Sequence, residues 1–189
     1  STQSRSSAAS DVYKRQRLIS VIIKASACLL QISVFTLFAQ SASQGNQPPP
    51  NADMRVASVL KKIGYKYEIT PLGNFKLDFA LPDKRGHWVY ISSRTEKFEK
   101  YETRKIWAYV YKSKSLLSAD MANKLLMDNV PQKAGAFELS KTPEGDGYHV
   151  IYSVKVDANA DPVALRAAIR LVLLTADDKE KELTGKDDF

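Results

Sequence analysis

The chain has 189 residues, 44% of them hydrophobic, a formal net charge of +7 from 28 Lys and Arg against 21 Asp and Glu, and a single cysteine. One cysteine excludes an internal disulfide and any cysteine-rich zinc cluster, so a folded domain here must rest on its apolar core. The positive balance is weaker evidence than it looks: five basic residues and one acid precede Gln44, and the remainder carries 23 basic and 20 acidic residues, a net of +3. That withdraws most of the support for a nucleic-acid partner.

In chain order, Ser6 to Gln16 reads SSAASDVYKRQ. This peptide resembles the in-frame translation of a transposase-based sequencing adapter from shotgun DNA, so residues 1–16 are set aside as an artefact. Residues 17–43 have the outline of a secretory signal peptide. Arg17 and Lys24 make a basic start, Ala25 to Ala39 is a largely apolar run, and Ser41 and Ser43 offer small residues before Gln44. The run is short for a membrane span of about 20 residues. Membrane attachment is therefore expected only through this leader, if it stays uncleaved, and the protein is expected in the periplasm or secreted. Cys28 would leave with the leader. Residues 44–51 include QPPP and read as an extended linker.

Residues 52–189 read as one α+β domain. Asn51 or Asp53 opens a helix with Val56, Val59, Leu60 and Ile63 on one face, and Gly64 stops it. Tyr65, Tyr67 and Ile69 then alternate with polar residues. After the PLG turn, Phe75, Leu77, Phe79 and Leu81 form the cleanest strand pattern. PDKRG is a turn and HWVYIS a strand with apolar groups on both faces. Ser93 to Thr103 is charged and is expected to be a loop or a ragged strand end. Arg104 to Lys112 is again a two-faced strand. A helix opened by Ser118, strands around Phe137 and Tyr148 to Val156, a PEGDG turn between them, and a helix from Asp161 to Leu183 complete the chain. The expectation is an antiparallel sheet of five to six strands with helices packed on it, in the order α-β-β-β(-β)-α-β-β-α. The acidic tail Asp177, Asp178, Glu180, Glu182, Asp187 and Asp188 opposes the dipole at the end of the last helix, which predicts fraying after Ala176 unless the tail docks on the basic strands or on a partner.

No catalytic, cofactor or metal residues are predicted. His87 and His149 lie in separate strands without ligand spacing, no serine sits in a G-x-S-x-G elbow, and Glu96, Glu99 and Glu102 are interleaved with Arg94, Lys97, Lys100, Arg104 and Lys105. The aromatic residues carry more information. Alternation places Trp107, Tyr109 and Tyr111 on one sheet face, opposite Ile106 and Val110, flanked by Lys105 and Lys112. If helices cover only the other face, these five residues form an aromatic and basic protein interface. Stacking of bases is the competing use of such a stripe, and export argues against it.

Two stretches, SADMANKLLMDNVPQKAGAFEL and LRAAIRLVLLTADDKEKELTG, resemble the central helix with its Gly-aromatic strand and the closing helix of the YbjN-like and type III secretion chaperone-like families. The likeness spans Asn51 to Leu183. It implies a small non-catalytic domain that dimerises and binds other proteins, with no cofactor. The expected function is thus an exported, non-enzymatic protein-binding domain, chaperone-like or regulatory, with an unidentified protein partner and possible homodimers. The alternative is a carrier of a small apolar ligand, using a cavity between sheet and last helix lined by Phe75, Phe79, Tyr148 and Tyr152.

Overall fold

The computed structural model describes residues 49–189. The adapter-like peptide, the leader, and residues 44–48 of the linker lie outside the described residues. The elements are α1 (Met54–Ile63), β1 (Glu68–Ile69), β2 (Phe75–Ala80), a 3-10 turn (Pro82–Lys84), β3 (Gly86–Phe98), β4 (Tyr101–Ser113), α2 (Ala119–Asp128), β5 (Ala136–Lys141), β6 (Tyr148–Asp157) and α3 (Pro162–Thr184). All six strands join one sheet in the order β1-β2-β3-β4-β6-β5, every pair antiparallel. The fold is α+β, in the element order expected. No helix among the described residues is long and apolar enough to cross a membrane.

Each helix begins where its cap dictates. Asp53, Ser118 and Asp161 accept hydrogen bonds from the first free N–H groups of α1, α2 and α3, and Pro162 occupies the first turn of α3. The helices bury one face each onto one face of the sheet. Val56 and Leu60 of α1, Leu125 of α2, and Leu165, Ile169, Val172 and Ala176 of α3 share a core with Phe75, Leu77, Val89, Ile91, Ile106, Ala108, Tyr152 and Val154. Gly135 lets β5 start close against β6: its φ is 83°, and a Cβ there would stand 2.2 Å from the Ser153 carbonyl oxygen.

Two strands depart from the expected pattern. The charged stretch expected to be a loop or a ragged strand end is a continuous ribbon, with β3 running to Phe98 and β4 starting at Tyr101. The ribbon's tip reaches past the helices with both faces in solvent, so it has no need of an apolar face; Phe98 and Tyr101 are exposed. Pairing also slips twice. Ser92 to Arg94 on β3 stand against Lys105 alone on β4, and Val110 on β4 is an extra residue relative to β6.

Candidate functional site

The sheet face away from the helices carries the aromatic residues. Lys76, Tyr90, Trp107 and Ser153 form one cross-strand row on it. Tyr90 and Trp107 stack with ring centroids 5.4 Å apart, and Tyr109 meets Tyr90 edge-on at 5.5 Å and His149 at 4.7 Å. Lys76 Nζ stands 3.6 Å over the Trp88 ring. Tyr90, Trp107, Tyr109 and His149, together with Pro71, Leu72 and Ile151, line an open concavity of about 620 Å³. Phe189 reaches Tyr109 from the end of α3, with centroids 5.7 Å apart.

Of the five residues expected at the interface, four share this face. Lys105 joins it through an ion pair with Glu138, and Lys112 sits opposite His149. Burial would push the Glu138 carboxyl up, but hydrogen bonds from Lys105 and Ser153 outweigh that and hold it below the ordinary carboxylate range. Burial and the nearby Lys112 charge lower His149. Tyr111 is the correction. The extra residue at Val110 turns Tyr111 opposite core-facing Val150, and it packs against the core instead of beside Trp107. A bulge of this kind has no glycine to announce it. Tyr90 and Trp88, which complete the patch, were visible in the two-faced pattern of HWVYIS but were not joined to the stripe.

The helix-covered face holds two ionic clusters, each with a buried charged residue at its centre, Arg104 in one and Glu180 in the other. In the first, Arg104 is 2% exposed. Its Nη1 donates to the Ser92 and Ser93 carbonyls set free by the β3 bulge, and its Nη2 donates to Asp53 Oδ2 at 2.6 Å. Arg55 binds Asp53 and Glu102. Burial pulls Asp53 upward, yet the Arg55 and Arg104 hydrogen bonds hold its carboxyl far below the usual range. Glu102 is lowered to about 2, first by Arg55 and then by Thr95.

The second cluster ties down the end of α3. Arg85 Nε donates to Asp177 at 2.7 Å, Nη2 to Glu180 at 3.1 Å and Nη1 to the Lys186 carbonyl at 2.7 Å. Glu180 is wholly buried and accepts from Asp188 N–H at 2.6 Å, while Asp187 accepts from Gly86 N–H. Burial pushes the Glu180 carboxyl above its ordinary value. On the far side Lys179 bonds Asp128 of α2. The helix therefore continues past Ala176 to Thr184: the acidic tail docks on Arg85, which is the second arm of the sequence expectation.

His87 faces the core at this second cluster, whereas His149 is on the outer face, so the two do not share a site. Glu96 and Glu102 bind Lys155 and Arg55 as ion pairs and not each other. The residues named for a ligand cavity are partly in solid core: Phe75 and Tyr152 have no exposure, and Phe79 packs edge-on against Tyr65 at 5.3 Å. No family model, no curated protein and no solved structure matches the chain; these comparisons leave the chaperone-like resemblance as a resemblance.

Proposed function

We propose that this is an exported, non-catalytic protein-binding domain of the chaperone-like or regulatory kind, and that the outer sheet face is its contact surface. One observation carries the reading. Among the described residues the helices occupy a single sheet face, and the other presents Tyr90 stacked on Trp107 with Tyr109 and Trp88 beside them. Large aromatic side chains are over-represented in interface cores and among the residues that dominate binding energy. Lys76, Lys105 and Lys112 lie on the same face. The partner that fits is a polypeptide with an apolar anchor for the concavity and acidic side chains for its fringe.

A photo-crosslinking residue at Trp107, in the full chain expressed in cells, tests this. Adducts to another polypeptide at position 107, and none from a control at Lys61 on α1, are the expected outcome. Equal labelling at both positions, or none at 107, overturns it. Light scattering on the purified protein separates self-association from a second partner. Mass measurement of the processed chain tests export, with a new start at or near Gln44 expected.

A further inference from the structure

His87 is completely buried, and one of its ring nitrogens has no partner. Nε2 lies 2.9 Å from the Tyr109 carbonyl oxygen. A carbonyl can only accept, so Nε2 carries the proton, and in the neutral ring Nδ1 is a bare lone pair. That lone pair faces Glu180 Oε2 at 3.4 Å. Two acceptors held face to face repel unless a proton or a metal cation lies between them. Arg85 does not fill that role, since its donors are directed to Asp177, Glu180 and the Lys186 carbonyl. Nor does Arg85 balance the charge: one guanidinium stands among the carboxylates of Asp177, Glu180 and Asp187.

We propose that His87 Nδ1, Glu180 and Asp177 form a binding site for a divalent cation of the zinc class. Their candidate ligand atoms all lie within 4.8 Å of one another. Two ligands each about 2.1 Å from a tetrahedral zinc stand about 3.4 Å apart, which is the observed His87–Glu180 separation. A histidine that donates its far N–H to a backbone carbonyl while turning the other nitrogen toward carboxylates has the orientation that metal-bound histidines adopt. One imidazole and two carboxylates suit zinc, manganese or iron(II) better than soft copper(I). Each carboxylate has two oxygens and several lone pairs, so Arg85 keeps its hydrogen bonds and positions Asp177 and Glu180. The double positive charge cancels the excess of two negative charges. His87 and Glu180 are shut off from solvent and Asp177 is partly exposed, so the site fastens the end of α3 to β3 and leaves a fourth position on the Asp177 side for water.

The test is zinc titration of the chelator-stripped full chain by calorimetry, with melting measured alongside. One zinc per chain, micromolar or tighter binding and a raised Tm are expected. Glu180→Gln and Asp177→Asn, which keep side-chain size, should each weaken binding at least tenfold; His149→Ala should leave it unchanged. His87→Ala is the more severe variant, and if it does not fold the two isosteric variants carry the test. Absence of zinc binding by the folded wild type overturns the site, as does binding that survives both isosteric variants. Nitrogen NMR shifts showing His87 as a doubly protonated ring in the presence of zinc also overturn it, because the positive species opposite Glu180 is then a proton.

Discussion

Arg104 and Arg85 stand near the two ends of the core stretch of β3, and each is an arginine among acids, Arg104 buried and Arg85 partly so, yet the clusters are built differently. Around Arg104 the charges balance: Arg104 and Arg55 face Asp53 and Glu102, and Arg104 also satisfies two carbonyls that the bulge releases. Around Arg85 three carboxylates meet one guanidinium, and the neighbouring His87 Nδ1 has no partner. Buried polar groups are costly when unpaired and nearly neutral when fully paired. The first cluster is therefore complete as it stands, and its members depend on each other. The second has more acceptors than donors, so its contribution to stability depends on an added cation.

The largest effect should come from breaking the complete cluster. Arg104→Ala leaves Asp53 and two backbone carbonyls without their donor, and is expected to cost about 3 kcal/mol in urea unfolding. Arg85→Ala removes a guanidinium that is more exposed than that of Arg104, 12% against 2% of the side chain, and should cost about 2 kcal/mol; the reverse ranking would break the comparison. Acid should act through the first cluster in the same way. Asp53 is lower in the folded protein than its ordinary value near 3.9. Its stabilisation is therefore full above that value and is lost as pH falls through the folded one. Unfolding free energy measured from pH 6 to pH 2 should fall with acid, and Asp53→Asn should flatten the slope. An unchanged slope would remove Asp53 from the account.

The elements were largely legible in the sequence, because caps and periodicity are local signals. Asp53, Ser118 and Asp161 open the helices as read, and Phe75, Leu77, Val89 and Ile106 alternate into the core. Legibility failed where geometry is set across strands. The slip at Val110 removed Tyr111 from the stripe, and the slip after Ile91 created the carbonyls that Arg104 serves. Neither leaves a mark in composition. The long β3–β4 ribbon was missed because its tip packs against nothing and so carries no hydrophobic period. The Arg85 cluster joins residues more than ninety positions apart; its charges were visible, but as a tail opposing a helix dipole instead of as a docking surface.

Two smaller effects sharpen the contrast. Glu180→Gln in metal-free protein removes one charge from a cluster with a surplus of negative charge, so it should change stability by no more than about 1 kcal/mol, in contrast to Arg104→Ala. A loss as large as that of Arg104→Ala would mean the Arg85 cluster is already complete without a cation.

The smallest effect separates capping from ion pairing. Asp53 does both: it accepts from Arg55 N–H at the start of α1 and pairs with Arg104. Asp161 does only the first, accepting from Val163 and Ala164 N–H at the start of α3. Replacing a capping Asp by Ala costs about 1 kcal/mol, so Asp161→Ala should cost that much. Asp53→Ala should cost clearly more and flatten the acid slope. If the two variants prove equal in urea unfolding, the Arg104 pair adds nothing beyond the cap, and the balanced cluster stabilises the fold only through the carbonyls that Arg104 holds.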